Sequence, residues 1–256
     1  MKIRFVVVSK DSSFKMSQDK FSGLDASDEV EFEYVPNNER PLPVVYNEVL
    51  RRERASRSHD VVAFMHGDVS FNGKAFIDHL KSIDGKYGII GLCGTSTLNV
   101  SQSPLNWWTG SNPTPFTKWG YVTHGELGDQ TSWFSEHSPN VMDTEVACID
   151  GLCIMFCKQA LDSAIEFDEN LGKFDFYDTD ISMQAVAKYH IKLGVMVQKD
   201  LCHYSVGKSI LTSSFLETEE KFRAKWKLPV PAGSPLEKHI AARNAAAGSI
   251  VNDIIQ

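Results

Sequence analysis

Long apolar runs, excess positive charge and a secretory signal are all lacking in this sequence of 256 residues. No stretch approaches the roughly 18 consecutive apolar residues of a membrane-spanning helix. Basic residues number 26 and acidic residues 33, so the formal net charge of −7 argues against nucleic acid as a partner. No small-residue cleavage site follows the short apolar stretch Ile3–Val8. We therefore expect a cytoplasmic protein without a transmembrane segment.

Cysteine is also sparse, and its distribution excludes a disulfide framework. The chain has 5 cysteines, an odd number, and they lie scattered through apolar stretches. Cys148, Cys153 and Cys157 are separated by four and three residues, whereas zinc sites favour tighter C-x2-C pairs. We expect these thiols to serve as small apolar side chains of the core.

Strand and helix patterns alternate in the first part of the chain. Strands are predicted at Ile3–Val8, Val30–Val35, Val61–Met65 and Tyr87–Cys93, with one helix beginning near Pro41–Pro43 and another capped by Asn72. Val61–Met65 has no polar alternation, which is typical of a strand covered on both faces. This order predicts an α/β domain with a largely parallel sheet.

The pattern is interrupted between Thr95 and Glu145 and then resumes. The interruption contains most of the tryptophans, namely Trp107, Trp108, Trp119 and Trp133. A structureless connection of that length inside a compact domain is usually functional, or its strands and helices have been missed. Further elements are predicted at Val146–Asp150, Leu152–Cys157, Asp178–Tyr189 and Leu193–Val197, with two helical segments from Ser213 onward.

The sharpest local signal is His66-Gly67-Asp68, directly after the strand Val61–Met65. In open α/β sheets, ligands bind at the carboxyl ends of the strands. A carboxylate there, beside a glycine that permits close approach, suits a divalent cation shared with substrate phosphates. An aspartate that caps the next helix or turn explains the same motif equally well.

A second cluster, Phe174–Ile181, combines three acidic residues with three aromatic ones. Asp178 and Asp180 fall at the start of a predicted helix, where capping and the helix dipole favour negative charge. That explanation accounts for one aspartate well. An aromatic wall beside a carboxylate would instead hold a sugar ring and tune a general base.

Two weaker signals complete the set. Asp150-Gly151 joins two apolar stretches, and this dipeptide is the usual pair of a hairpin turn. His203 follows the last predicted strand. Taken singly, the first is better explained as a turn and the second as a surface residue.

These signals share a fixed order with further short motifs: Ser9 after the first strand, Val35-Pro36-Asn37, Tyr46-Asn47-Glu48, Phe167-Asp168-Glu169 and Lys225-Trp226. In that order and spacing, the chain resembles the streptomycin-biosynthesis-type branch of the family-2-like glycosyltransferases. The resemblance covers about residues 1–230 and is weakest in the Trp-rich segment. It implies the GT-A fold of nucleotide-diphospho-sugar transferases, a mixed and mostly parallel sheet flanked by helices.

The resemblance also implies a metal site that requires Mn²⁺ or Mg²⁺. Asp68 matches the second, metal-binding aspartate of the family's Asp-x-Asp motif. The first acid of that motif is replaced by His66, which puts in doubt any contact of an acid with the donor ribose at that position. His203 falls where many GT-A enzymes supply a further ligand to the metal or the diphosphate.

Other matched positions imply roles in donor binding and catalysis. Asp178 matches the catalytic base of inverting members. Ser9 and Asn37 match residues that line the nucleotide pocket, and Asp150-Gly151 the floor under the donor sugar and the acceptor. The Trp-rich segment, residues 95–145, lies on the acceptor side or forms the core of an extra subdomain.

The expected protein is a metal-dependent inverting glycosyltransferase of the hexosyltransferase type, active in polysaccharide biosynthesis. Its donor is a nucleotide-diphosphate sugar, and its acceptor is a glycan or a lipid-linked glycan. We expect a catalytic domain over residues 1–212 and a helical extension over residues 213–256. That extension packs on the body or forms a homo-oligomer, and the enzyme is cytoplasmic or peripheral at the membrane.

Two rival functions stay open. A sugar-phosphate nucleotidyltransferase would keep the fold, but such enzymes need a glycine-rich, basic triphosphate loop after the first strand. Residues Ser9–Ser13 contain no glycine. A non-catalytic glycan-binding subunit is the other rival, because a family resemblance does not exclude lost activity.

Overall fold

The structure is a computed structural model that describes residues 1–103, 105, 117–125, 130–133, 142–205 and 211–255, with the backbone alone for residues 130–133 and 246–255. The chain divides into two compact units. The sheet unit comprises residues 1–97 and 113–207, and the helical unit residues 98–112 and 208–256. The boundary that we expected at residue 212, between a catalytic domain and a helical extension, stays a prediction.

The strands of the sheet unit are, in chain order, β1 (Lys2–Val8), β2 (Glu29–Val35), β3 (Val61–His66), β4 (Val69–Ser70), β5 (Ile89–Gly91), β6 (Cys93–Thr95), β7 (Lys118–His124), β8 (Gln130–Trp133), β9 (Asp143–Val146), β10 (Cys148–Ile149), β11 (Cys153–Cys157), β12 (Leu193–Met196) and β13 (Cys202–His203). Its helices are α1 (Leu42–Ser56), α2 (Gly73–Ser82), α3 (Lys158–Leu161) and α4 (Tyr177–Ala187), with a 3₁₀ turn at Gln18–Phe21.

Among the described residues, seven strands form the main sheet in the order β2-β1-β3-β11-β5-β12-β9. β1 runs parallel to β2 and β3, and β12 runs parallel to β5. β11 is antiparallel to both of its neighbours, and the edge strand β9 is antiparallel to β12. The expected α/β class is confirmed, with a mixed sheet flanked by helices. Parallel pairing is concentrated where β1, β2 and β3 bring their carboxyl ends to one edge.

A second sheet has the order β10-β6-β7-β13-β4, and β8 pairs with β7. Two stretches that the sequence predicts as single strands, Tyr87–Cys93 and Val146–Asp150, each divide between the two sheets. β6 and β10 both belong to the second sheet, where they pair antiparallel with Thr95 opposite Cys148. Asp150-Gly151 therefore connects two sheets and is not a hairpin turn.

The expectation that residues 95–145 lack regular structure is wrong for the described part of this segment. β7, β8 and most of β9 lie within it. In β7 only Gly120 and Val122 are buried, so the strand lacks the repeated apolar alternation by which strands are recognised. Trp107 and Trp108 lie outside the described residues.

The aromatic core of the sheet unit lies under the start of α4. Tyr46 of α1 packs against Phe64 of β3, with ring centroids 4.3 Å apart, and against Phe167 at 5.3 Å. Tyr177 joins the same cluster at 6.1 Å from Phe167. All four side chains are at most 4% exposed. Their burial fixes the position of the helix N-terminus that carries Asp178.

All five cysteines are free thiols, as the sequence predicts. Cys93, Cys148, Cys153 and Cys157 are buried and Cys202 is half-buried. Burial raises the pKa of the Cys157 thiol to about 12, which is the behaviour of an apolar core side chain and not of a metal ligand. Within the described ranges, no helix combines the length and the apolar character that a membrane crossing requires.

The helical unit contains α5 (Ser213–Trp226) and α6 (Pro235–Ile255), and a buried ion pair forms its centre. Arg223 and Glu219 of α5 are joined at 2.9 Å with side chains 1% and 0% exposed. Glu219 also accepts from Ser103 Oγ at 3.1 Å and from the Leu105 N–H at 3.2 Å. Arg223 donates to the carbonyl groups of Val100 and Gln102. The pair thus holds residues 100–105 on α5.

We expect Arg223→Met to destabilise the helical unit by about 3–5 kcal/mol, because it leaves the Glu219 carboxylate buried without its cation. The measurement is urea unfolding followed by tryptophan fluorescence. The control is Arg243→Met, since Arg243 pairs with Glu220 while 47% exposed, and such surface pairs contribute about 0–1 kcal/mol. Equal effects of the two substitutions would contradict a central role for the buried pair.

Candidate functional site

Strand pairing brings the sequence-distant His203 to His66 and Asp68 at the carboxyl end of β3. His66 is the last residue of β3, Asp68 follows two positions later, and His203 lies in β13, paired with Val69 of β4. His203 Nε2 lies 3.5 Å from Asp68 Oδ1. One ligand atom from each of the three residues lies within 4.8 Å of the other two. We call this group the His-Asp-His cluster.

Burial and neighbouring charges set the protonation of two members of the His-Asp-His cluster, His66 and Asp68. Burial, with a smaller contribution from His203, lowers the pKa of His66 to about 4, so this imidazole is neutral at neutral pH. Burial also opposes ionisation of Asp68, but the hydrogen bond and the charge of His203 outweigh it, and the pKa of Asp68 falls below its usual value. A neutral imidazole and an ionised carboxylate are the forms required of metal ligands.

The chemistry of these donors fits a divalent metal ion. Two imidazoles and one carboxylate leave coordination positions open for ligands from a substrate. Mg²⁺ prefers a shell of oxygen atoms, and imidazole nitrogens suit first-row transition ions better. Of the two expected cations, Mn²⁺ therefore fits the set better than Mg²⁺.

The expected nucleotide-pocket residues Ser9 and Asn37 meet at the same sheet edge. The Asp11 carboxylate accepts from Ser9 Oγ at 3.0 Å, and the Asp11 carbonyl accepts from the Asn37 N–H at 3.3 Å. Asn37 has a φ of 51°, in the left-handed region that asparagine tolerates better than most residues. A Cβ on Gly67 would lie 3.0 Å from Ser9 Cβ, so the loop after β1 packs closely on the His66-Gly67-Asp68 motif.

Lys15 is a residue of this site that sequence reasoning missed. Its N–H donates to the Gly67 carbonyl at 2.8 Å. Its ammonium group lies 4.8 Å from the ring centroid of Tyr204, whose own N–H donates to the Asp68 carbonyl at 2.8 Å. A positive charge is therefore held beside the turn that carries Asp68. Nothing in the sequence distinguishes Lys15 from Lys10 on the same loop.

The two aspartates at the start of α4 have different surroundings. Asp178 is half-buried and accepts from the Gly151 N–H at 3.0 Å and from the Thr179 N–H at 2.7 Å. Burial outweighs these hydrogen bonds and raises the pKa of Asp178. Asp180 is 1% exposed and accepts from Gln184 Nε2 at 2.8 Å. Asp178 therefore accepts from backbone N–H groups on both sides of the helix start, those of Gly151 and Thr179.

Of the three aromatic residues beside Asp178, only Phe174 is exposed, at 39%. Its ring centroid lies 5.5 Å from that of His66. Phe176 and Tyr177 are at most 5% exposed and belong to the core. Phe176 has a φ of 63°, a strained conformation stabilised by the burial of its ring. The expected aromatic wall therefore has one exposed ring, that of Phe174, and its other two aromatic side chains are buried.

Tyr177 and Gly151 link the cluster to Asp178. Tyr177 Oη lies 2.9 Å from His66 Nε2 and 2.9 Å from the Gly151 carbonyl oxygen. Asp150 Oδ1 accepts from the Leu152 N–H at 2.8 Å and closes the turn. His66, Asp68 and His203 thus share one edge with Asp178 and the Asp150-Gly151 turn. Sequence reasoning counted Tyr177 among the aromatics but gave it no polar role.

Comparison with known proteins places most of the chain in one family. Residues 4–226 match the glycosyltransferase-like family. No curated protein matches the sequence. Among solved structures, A197 from STIV is similar to this chain at 14% identity and a TM-score of 0.40, over 78% of this chain and 83% of A197. This sequence identity and this TM-score are too low to assign a function. The family match spans well over half of the sequence, so the chain belongs to the glycosyltransferase-like family.

Proposed function

We propose that the protein is a metal-dependent inverting glycosyltransferase of the streptomycin-biosynthesis type. It transfers a hexose from a nucleotide-diphosphate donor to a hydroxyl group of a glycan or lipid-linked glycan. The observation that carries the proposal is the pairing of the His-Asp-His cluster with a second carboxylate of raised pKa. Asp178 is connected to the cluster through Gly151 and Tyr177.

The proposed reaction assigns one task to each carboxylate. Asp178 accepts the proton of the acceptor hydroxyl while that oxygen forms a bond to the anomeric carbon of the donor. The bond from the anomeric carbon to the diphosphate breaks on the opposite face, which inverts the configuration. A divalent cation held by His66, Asp68 and His203 would neutralise charge on the departing diphosphate.

The surrounding residues have supporting roles in this proposal. Ser9 and Asn37 line the nucleotide pocket, and Lys15 faces the diphosphate. Phe174 offers its exposed ring to a sugar face, beside the Asp150-Gly151 turn. The loop after β1 contains Asp11, whose carboxylate accepts hydrogen bonds from the hydroxyl groups of Ser9 and Ser13. A negative charge there disfavours the triphosphate chemistry of a nucleotidyltransferase.

Asp68→Asn should abolish Mn²⁺-dependent binding of a nucleoside diphosphate while the fold is retained, because the amide carries no charge for the cation. Asp68 is 40% exposed at a strand end, so its loss should have little effect on the core. The measurement is calorimetric titration of several nucleoside diphosphates with and without Mn²⁺. The control is Asp78→Asn, which alters an exposed pair with Lys74. Wild-type affinity in Asp68→Asn would remove this residue from the metal site.

Asp178→Asn should reduce transfer by about a hundredfold or more, the usual contribution of a positioned base, and leave donor binding intact. Because folding raises the pKa of Asp178, its ionised form opposes folding above that pKa. The variant should therefore unfold at the same or a higher temperature than the wild type at neutral pH. Transfer by the wild type should fall as the pH drops through this raised pKa.

The matched control for the base is Asp180→Asn, two positions away in the same helix. It weakens the buried hydrogen bond with Gln184 and should lower stability by about 1–3 kcal/mol without removing transfer. Donor hydrolysis without acceptor and transfer to an acceptor are both measured on folded protein. Undiminished transfer by Asp178→Asn would place the base elsewhere and refute the mechanism.

Lys15→Met should weaken binding of a nucleoside diphosphate by about tenfold, equal to roughly 1.4 kcal/mol. Binding of the corresponding monophosphate should change less, because it lacks the outer phosphate that Lys15 faces. Lys10→Met, on the same loop, is the control and should affect neither ligand. An equal loss for both nucleotides would assign Lys15 to the base or ribose and not to the diphosphate.

A further inference from the structure

The hydroxyl group of Tyr177 lies between two polar groups of the buried sheet end. It is 2.9 Å from His66 Nε2 and 2.9 Å from the Gly151 carbonyl oxygen. The Tyr177 side chain is 4% exposed, so water has little access to these contacts. Both hydrogen bonds must therefore be satisfied among the three residues themselves.

The inventory of donors decides the direction of both hydrogen bonds. A carbonyl oxygen only accepts, so the single hydroxyl proton of Tyr177 goes to Gly151. No proton of Tyr177 is then left for His66, and His66 Nε2 must carry the proton of the second bond. A neutral imidazole has one N–H, so Nδ1 of His66 keeps its lone pair.

Gly151 leaves the space that the Tyr177 hydroxyl occupies. A Cβ there would lie 2.1 Å from Tyr177 Oη, well inside contact distance. Gly151 also donates its own N–H to Asp178 Oδ2 at 3.0 Å. The absence of a side chain at Gly151 thus allows the Tyr177 hydroxyl to reach the carbonyl while the N–H holds the carboxylate.

We propose that Tyr177 is a positioning residue that fixes His66 as the Nε2–H tautomer and so presents Nδ1 to a divalent cation. Gly151 serves the same purpose by leaving room for the tyrosine hydroxyl. The role of the cation rests on the proposed function, whereas the tautomer of His66 does not. Loss of such an outer partner of a ligating histidine typically weakens metal binding about 10–100-fold.

The first test is the tautomer of His66 in the metal-free, full-length protein with ¹⁵N-labelled histidine. Long-range ¹H–¹⁵N spectra distinguish Nε2–H from Nδ1–H, and His66→Gln identifies the signals. The wild type should show His66 as Nε2–H. An Nδ1–H or charged imidazole in the wild type overturns the inference without any variant of Tyr177.

The second test is Tyr177→Phe, which removes the hydroxyl and keeps the ring in the aromatic core. The preference of His66 for Nε2–H should disappear, and the affinity for Mn²⁺ alone, measured by titration, should fall at least about tenfold. The control is Tyr189→Phe, just beyond the C-terminal end of α4. It removes an exposed hydrogen bond from the Tyr189 hydroxyl to the Ala164 carbonyl. It should change neither quantity.

Gly151→Ala gives an independent route to the same result, because it displaces the hydroxyl while Tyr177 is retained. An unchanged tautomer and unchanged Mn²⁺ affinity in folded Tyr177→Phe overturn the inference. If the tautomer responds to Tyr177→Phe but the wild type binds neither Mn²⁺ nor a nucleoside diphosphate, the positioning of His66 stands and the proposed function fails. The two hypotheses are thereby separated.

Discussion

The backbone of Gly151 holds two side chains at once, and the geometry of the candidate site depends on it. Its carbonyl accepts from Tyr177 and its N–H donates to Asp178. Tyr177 in turn contacts His66 at the end of β3. These bonds connect the start of α4, the turn before β11 and the end of β3. The His-Asp-His cluster and a carboxylate of raised pKa are thereby held at one edge of the sheet, which is the arrangement that the proposed displacement at an anomeric carbon requires.

Much of the fold follows from the sequence, because its strands are fully buried or clearly alternating. Val61–Met65 forms most of β3, and Asn72 caps α2 by accepting from the Ala75 N–H. The transfer of strands between sheets could not be predicted, since β9 and β10 are separated by the single residue Ala147. β7 was missed because its burial is limited to two of its residues. Local periodicity reports burial and does not report which sheet a strand joins.

The sequence predicts which residues form the candidate site better than it predicts the contacts between them. His66, Asp68 and His203 were singled out from the sequence, and strand pairing brings them within ligand distance of one another. Lys15 and the polar role of Tyr177 were not. Lys15 contacts Gly67 and Tyr177 contacts Gly151, and in each pair the two residues are distant in sequence. A lysine in a loop or a tyrosine in an aromatic run gives no local sign of such a contact.

In the proposed function the His-Asp-His cluster holds a divalent cation beside a nucleoside diphosphate. This is tested by anomalous diffraction at the manganese absorption edge from crystals grown with Mn²⁺ and a nucleoside diphosphate. We expect one anomalous peak within coordination distance of His66, Asp68 and His203, with phosphate oxygens in the remaining positions. A peak bound elsewhere, or a nucleotide bound away from the carboxyl ends of β1 and β3 with no ion at the cluster, would contradict it.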